Sequence, residues 1–168
     1  MDKTRNAQPN AAGAHSGEGL LLRLELRSDP SLLCAVRGAV ERLTEGFGFS
    51  AEECRAVTRA VDEALTNIIR HSYQGAPDRP IELKIRAMRQ LPAGSAAAEG
   101  LEILLSDHGP AIDPTTMCGR ELNDVKPGGL GLHFIKQSMD IVEFQRADGA
   151  NCLRLVKFVR TPKHSSQL

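Results

Sequence analysis

The chain has 168 residues, 41% of them hydrophobic, which is enough apolar material for one folded domain with its own core. Its 21 basic residues balance 21 acidic ones, so the formal net charge is zero and we expect no general affinity for nucleic acid or an anionic membrane. The apolar runs are short and the N-terminus lacks a hydrophobic segment, which predicts a cytoplasmic protein with neither signal peptide nor membrane span.

The cysteines and the chain ends carry little information about function. The four cysteines form no CxxC pair, so free thiols on buried faces are expected rather than disulfides or zinc ligands: Cys34, Cys54, Cys118 and Cys152. Residues 1–19 are polar and lack periodicity, which is typical of a disordered tail. We therefore place the folded domain at residues 20–160, followed by a C-terminal tail at 161–168.

The first two predicted elements are a strand and a helix. Residues 20–27 alternate apolar and charged side chains, the pattern of an edge strand with one buried face. Ser28 or Asp29 before Pro30 indicates a helix start. Apolar residues then recur at helical spacing, and this first helix is predicted to end at Gly46.

The segment at 50–73 is the one around which the chain is organised. Ser50 with Glu53 three residues later is a capping-box signature, so a long helix is predicted to begin there. At about 100° per residue, six apolar side chains share one stripe of this helix. They are Cys54, Val57, Val61, Ala64, Leu65 and Ile68.

Polar residues flank this stripe. Glu63 and Asn67 are one helical turn apart, and His71 follows after a further turn, so the three are predicted to form a polar ladder. A carboxylate, an amide and an imidazole in a row are groups that a binding or catalytic site can use. The same spacing also fits an ordinary solvated helix face.

The remaining elements are two hairpins and a helix. They are, in order, a strand at 80–87, a turn-rich connection at 90–100, a strand at 101–107, a loop at 108–129, a helix at 129–140, and strands at 141–146 and 153–159. Asp148 and Gly149 are a typical turn pair for the last hairpin. This order predicts an α+β fold: a two-layer α/β sandwich with a mostly antiparallel sheet and helices on one face. The strands and helices do not alternate as in a Rossmann fold.

Two further motifs carry candidate chemistry. Asp107 ends a predicted strand and Gly109 follows two residues later. A carboxylate there can accept a hydrogen bond from an exocyclic amine, and the glycine lets the backbone approach a flat ring. The Asp-x-Gly sequence is also common in ordinary turns. The sequence KPGGLGL at 126–132 opens a helix with glycines, which favours phosphate binding but is also compatible with a tight loop. The P-loop signature and the kinase HRD and DFG motifs do not occur.

Considered together, three sequence blocks resemble a known family. They are EALTN at 63–67 with HSY at 71–73, SDHG at 106–109, and PGGLGL at 127–132. In this order they are similar to the N, G1 and G2 boxes of the GHKL ATPase superfamily, which has the Bergerat fold. The most similar group is the small bacterial anti-sigma-factor serine/threonine kinases (SpoIIAB- and RsbW-like), and the resemblance extends over about residues 20–160.

The resemblance implies roles for individual residues around bound ATP and Mg²⁺. Glu63 would be the catalytic base, Asn67 the magnesium ligand, and Asp107 with Gly109 the adenine site. Gly128, Gly129 and Gly131 would let the lid and the helix N-terminus close over the phosphates, and Leu130 and Leu132 would belong to the same cofactor-binding segment. His71 and Tyr73 would have supporting roles only.

The resemblance also implies partners. We expect phosphorylation of a STAS-domain anti-sigma-factor antagonist, sequestration of a sigma factor or analogous regulator, and a homodimer formed through the strand face. The alternative is a nucleotide-gated binding switch without catalysis, for example a phosphatase activator. A domain that binds no nucleotide is a third alternative.

Overall fold

The computed structural model describes residues 19–90, 98–111 and 130–160. These residues form five strands and three α-helices. The strands are β1 (Gly19–Arg27), β2 (Pro80–Gln90), β3 (Ala98–Asp107), β4 (Ile141–Ala147) and β5 (Ala150–Phe158). The helices are α1 (Leu33–Phe47), α2 (Ala51–Asn67) and α3 (Leu130–Ser138).

The strands form one sheet in the order β1-β2-β3-β5-β4, and every neighbouring pair is antiparallel. β1 therefore lies at an edge, as its alternating pattern predicted. The three helices contribute side chains to a single core against one face of the sheet. The predicted α+β two-layer sandwich is confirmed.

The core lies between the sheet and α2. All six apolar residues of the predicted stripe are buried, five of them on α2 and Ile68 directly after it. They meet the inward side chains of the central strands, including Leu83, Ile103 and Leu155, which are fully buried. Alternate residues of the same strands form the opposite face, where Glu102 of β3 pairs with Arg154 of β5 at 2.6 Å. This alternation is the period of two expected for strands with one buried face.

Local signals set most helix ends. Ser50 and Glu53 form the predicted capping box, with each side chain bonded to the other residue's backbone N–H. Asp29 accepts a 2.8 Å bond from the Ser31 N–H and caps a short 3-10 turn that precedes α1. The predicted end of α1 at Gly46 is wrong. The helix continues to Phe47, because the left-handed conformation that ends it belongs to Gly48, with φ of 101°.

Two other details differ from the predictions. β2 ends at Gln90 and β3 begins at Ala98, so the connection between them is shorter than the predicted 90–100 segment. Only one of the described cysteines is buried, Cys54; Cys34 is exposed and Cys152 is half-buried. The tails at 1–18 and 161–168 and most of the predicted loop, at 112–129, lie outside the described residues.

Candidate functional site

The C-terminal half of α2 carries the two polar residues predicted to do the chemistry. Glu63 and Asn67 are both half-buried and lie one helical turn apart. Asn67 is the last residue of α2, and the chain continues as a π-helix over Ile68–Ser72. Single π turns are frequent at functional sites. His71 lies in this wider turn and is exposed, so the regular three-step ladder predicted from α-helical spacing stops at Asn67.

The Glu63 side chain lies directly against the first turn of α3. A Cβ atom placed on Gly131 would come within 1.8 Å of Glu63 Oε1 and 2.5 Å of its Cδ. Atoms do not approach this closely, so only a glycine at position 131 is compatible with this position of the Glu63 carboxyl group. The structure thereby joins the EALTN and PGGLGL blocks.

A second contact between α2 and α3 lies one turn before Glu63. The Arg59 guanidinium is 4.2 Å from the centre of the Phe134 ring, within the range of a cation–π interaction. Phe134 follows Gly131 while Arg59 precedes Glu63, so the two helices run antiparallel where they touch. Sequence analysis did not identify this pair, because neither residue belongs to a recognisable motif.

Asp107 ends β3 and is 3% exposed. Its Oδ1 accepts a 2.8 Å bond from the Gly109 N–H and a 2.9 Å bond from the Asn151 side-chain amide. A Cβ on Gly109 would lie 2.6 Å from the Ser72 Cβ and 2.9 Å from the Ser72 carbonyl oxygen. The Asp-x-Gly turn is thus packed against the π-helix that ends α2, and a glycine is required there because the two backbones nearly touch.

The buried side chain of Tyr73 fixes this turn from the other side. Its hydroxyl accepts a 2.8 Å bond from the His108 N–H and donates a 2.6 Å bond to the Pro80 carbonyl. Burial raises the pKa of the Tyr73 phenol above its usual value, which keeps the hydroxyl protonated as a donor. Tyr73 therefore links the start of β2 to the end of β3.

Asn151 and Arg146 are site residues that sequence analysis missed. Asn151 is 6% exposed and donates to Asp107 and, at 3.1 Å, to the Pro110 carbonyl. Arg146 donates to Asn151 Oδ1 at 2.5 Å and to the Gly109 carbonyl at 3.3 Å. Both residues come from the last hairpin. Their only sequence signal was the turn pair at 148–149, which fixes the register that brings them to Asp107.

Part of the predicted phosphate segment lies outside the described residues. Gly128 and Gly129 belong to the 112–129 segment. The Leu130 backbone begins α3, and Leu132 is half-buried in its first turn. Among the described residues of this segment, Gly131 is brought against another predicted site residue, Glu63.

Metal chemistry is limited by the available ligands. Among residues 19–90, 98–111 and 130–160, no group of three or more His, Cys, Asp or Glu side chains is arranged to hold a metal ion. Magnesium bound to a nucleotide needs only one or two protein oxygens, since phosphate and water supply the remaining ligands. The Asn67 amide oxygen fits that requirement. In the part of the chain that is described, none of the helices has the length and apolar character required to cross a bilayer.

Comparisons with known proteins agree with this arrangement. The profile of the histidine kinase-like ATPase domain family matches residues 26–157. The chain is 33% identical over 103 residues to the serine/threonine-protein kinase BtrW of Bordetella bronchiseptica, an alignment that covers 59% of this chain and 66% of BtrW. It is 26% identical over 148 residues to the serine-protein kinase RsbW of Bacillus pumilus, covering 83% of this chain and 86% of that protein.

A solved structure shows the same fold. The RsbU and RsbW domains of Rv1364c from Mycobacterium tuberculosis match with a TM-score of 0.52 and 13% identity. The match covers 84% of this chain and 34% of the other, so the chain spans about a third of that protein. At this identity the likeness concerns the fold alone.

The two-layer sandwich and the family profile together define a domain of the GHKL type. Since the family profile covers well over half of its length, the chain belongs to the histidine kinase-like ATPase domain family. Its relatives in that family are serine- and serine/threonine-protein kinases. The predicted family and the predicted enzyme class, serine/threonine protein kinase, are confirmed.

Proposed function

We propose that this protein uses ATP and Mg²⁺ to phosphorylate a serine or threonine of a STAS-domain anti-sigma-factor antagonist in the cytoplasm. It would also bind a sigma factor or analogous regulator, and the two partners would exclude each other. The observation that carries the proposal is that α2 and the π-helix that follows it touch both other blocks. Glu63 lies against Gly131, and Ser72 lies against Gly109. The names of the relatives support a protein kinase, while the partners are proposed from the resemblance.

The adenine end of the proposed site is the Asp-x-Gly turn. Oδ1 of Asp107 already accepts two hydrogen bonds, so we assign Oδ2 as the acceptor for the adenine 6-amino group. Gly109, which is buried against Ser72, would hold the turn close to the π-helix and so fix where Asp107 meets the base. A buried acceptor that is held by its neighbours distinguishes ligands by hydrogen bonding, because a ligand without the matching donor leaves it unpaired.

The phosphate end would be built from α2 and α3. Asn67 would supply an amide oxygen to magnesium, and Gly128, Gly129 and Gly131 would let backbone N–H groups approach the phosphates at the start of α3. Bound magnesium would neutralise phosphate charge during transfer. The half-buried carboxyl group of Glu63 beside Gly131 is the proposed general base.

The proposed reaction is a direct phosphoryl transfer. The substrate hydroxyl oxygen forms a bond to the γ-phosphorus of ATP, the bond to the ADP oxygen breaks, and Glu63 accepts the hydroxyl proton. Positioning supplies most of the rate enhancement, so Glu63 must be held at a defined place. Its packing against Gly131 is a way of holding it.

The test is transfer of labelled phosphate from ATP to the STAS-domain protein encoded by a neighbouring gene, with Mg²⁺ present. We expect label on that protein with the wild type, and a loss of roughly 100-fold or more with Glu63→Gln. Glu41→Gln is the matched control, because Glu41 is an exposed carboxylate on α1. Intact ATP binding without label on the STAS protein would remove the kinase proposal for that substrate.

The second candidate is the nucleotide-gated switch, and the same variant separates it from the kinase. A switch without catalysis keeps nucleotide-dependent partner binding in Glu63→Gln, whereas the kinase loses phosphorylation of its substrate. Pull-down of the partner with ATP and with ADP measures the first property. Calorimetry with both nucleotides tests whether the domain binds either one.

We further propose that the protein is a homodimer formed through the outer face of the sheet. That face carries charged side chains on every strand, including the Arg23–Glu82 pair at 2.8 Å and the Arg154–Glu143 pair at 2.8 Å. A surface with interspersed charges of both signs can complement a second copy of itself about a two-fold axis. Sedimentation equilibrium should give twice the monomer mass; a monomer at high micromolar concentration would contradict this proposal.

A further inference from the structure

We propose that Asn151 and Arg146 are positioning residues that set the preference of this protein for a 6-amino purine. They do so by holding Asp107 through a row of hydrogen bonds across β4, β5 and β3. The inference deepens the proposed function and rests on it, since it takes Asp107 as the residue that reads adenine. Neither Asn151 nor Arg146 needs to touch the nucleotide.

The register of the sheet creates this row. Arg146 of β4 is the cross-strand partner of Asn151 on β5, and Asn151 is the cross-strand partner of Asp107 on β3. Directly paired residues project from the same face of a sheet at short separation, so the three side chains can reach one another. We call this set the Arg146–Asn151–Asp107 row.

The direction of the hydrogen bonds in the row follows from chemistry. A guanidinium group has donors only, so the Asn151 oxygen must face Arg146, at 2.5 Å. The Asn151 NH₂ group therefore faces Asp107 and donates to its Oδ1 at 2.9 Å. The orientation of the amide, which is otherwise ambiguous, is fixed by its neighbour.

The Asn151 NH₂ group, the second donor to Asp107, constrains the orientation of the carboxylate more than the local turn does. The Gly109 N–H, two residues away, would still allow the carboxylate plane to tilt about Oδ1. A donor from another strand restrains that plane and hence the position of Oδ2. The row also holds the turn itself, because Arg146 donates to the Gly109 carbonyl and Asn151 to the Pro110 carbonyl.

The restraint matters for base selection because carboxylates also recognise other purines. A fixed Oδ2 placed for the 6-amino group finds a carbonyl oxygen on a 6-oxo purine, and the two acceptors repel. A carboxylate free to move can turn to the N1–H of the 6-oxo purine. Loosening Asp107 should therefore reduce discrimination without disturbing Glu63 and Asn67 at the phosphate end.

The experiment compares three ligands by titration calorimetry on the full chain: ATP, purine riboside triphosphate, which lacks the 6-amino group, and inosine triphosphate. A hydrogen bond to a charged group contributes about 1.5–3 kcal/mol, so the wild type should bind ATP roughly 10- to 100-fold more tightly than purine riboside triphosphate. Asn151→Ala should lower this ratio about fivefold or more and raise the relative affinity for inosine triphosphate. Asn151→Ser, which retains a donor, should recover part of the ratio.

Arg146→Ala is the second variant, and its exposed position makes loss of the fold a smaller concern. It should lower the ATP preference by a smaller factor, because Asn151 stays in place but is no longer oriented. Gln145→Ala changes an adjacent exposed residue of β4 and should leave the ratio unchanged. The phosphorylation rate of Gln145→Ala at saturating ATP should also stay within about twofold of wild type, because this residue touches neither the Arg146–Asn151–Asp107 row nor the phosphate end.

The outcomes separate this inference from the function on which it rests. If the wild type binds neither ATP nor purine riboside triphosphate, the proposed nucleotide site is wrong and this inference falls with it. If the wild type prefers ATP and both variants keep that preference, only the positioning role is overturned. An equal loss of affinity for all three nucleotides indicates a purely structural role and also overturns it.

Discussion

Gly131→Ala tests the packing between the proposed catalytic base and α3. A Cβ at position 131 would lie 1.8 Å from Glu63 Oε1, 2.5 Å from Cδ and 2.9 Å from Cγ. Ordinary van der Waals contact begins at 3.4 Å, so the nearest oxygen must move by about 1.6 Å. Because three consecutive atoms are affected, a small bend at the end of the side chain is not enough, and the whole carboxyl group must rotate away.

The expected magnitude has two parts. Overpacking costs about 1–3 kcal/mol, and replacing a helical glycine by alanine returns up to about 1 kcal/mol, less near a helix end. The free energy of unfolding should therefore fall by about 1–2 kcal/mol. For catalysis, a displacement of about 1 Å can reduce the rate roughly 100-fold, so phosphorylation should fall by about that factor.

The assay is urea unfolding followed by circular dichroism in a double-mutant cycle with Glu63→Ala. Removing the Glu63 side chain also removes the clash, so the double variant should be no less stable than Glu63→Ala alone, and the coupling should equal the clash itself, about 1–3 kcal/mol. Gly38→Ala is the control, because Gly38 is an exposed helical glycine of α1 with no atom within 4 Å of its built Cβ. It should stabilise the protein by up to about 1 kcal/mol. Additive effects of Gly131→Ala and Glu63→Ala would refute the reasoning.

Three further predictions concern residues that stabilise the fold. Tyr73→Phe removes two part-buried hydrogen bonds, from the His108 N–H and to the Pro80 carbonyl, and should lower the free energy of unfolding by about 1–3 kcal/mol in urea titration; an unchanged midpoint would contradict this. Ser50→Ala removes the capping box of α2 and should cost about 1 kcal/mol by the same assay, whereas wild-type stability would exclude the cap as a contributor. The hydrogen bond from Lys84, together with nearby positive charge, lowers the pKa of Glu82 below its ordinary 4.5. Because the folded-state pKa is depressed, its stabilisation is present above pH 4.5 and is lost as pH falls through the folded pKa. The stability advantage of wild type over Glu82→Gln should shrink on acidification, and a constant difference from pH 7 to pH 3 would contradict this.

The parts of the fold that depend on residues close together in the sequence were predictable from the sequence. The burial stripe of α2, its Ser50 cap and the alternation in β2 follow from periodicity and local hydrogen bonding, and the structure confirms them. The end of α1 was missed because Gly46 and Gly48 look alike in sequence. Only the backbone conformation shows that Gly48 carries the left-handed turn.

The contacts that assemble the site depend on residues far apart in the chain, and the sequence predicted them less well. Motifs identified Glu63 and Asp107 as candidates, but they gave no indication that Gly131 must lack a side chain to accommodate Glu63. Asn151 was missed because a lone asparagine in a strand has no motif. Its position beside Asp107 is a consequence of strand order and register, which periodicity does not specify.

The central claim is that three separated segments meet on one nucleotide, and a crystal structure with magnesium and a non-hydrolysable ATP analogue tests it most directly. We expect the adenine amino group within hydrogen-bond distance of Asp107, magnesium bound by Asn67, and Glu63 facing the γ-phosphate. An analogue bound elsewhere, or bound with these three side chains directed away from it, would contradict the account.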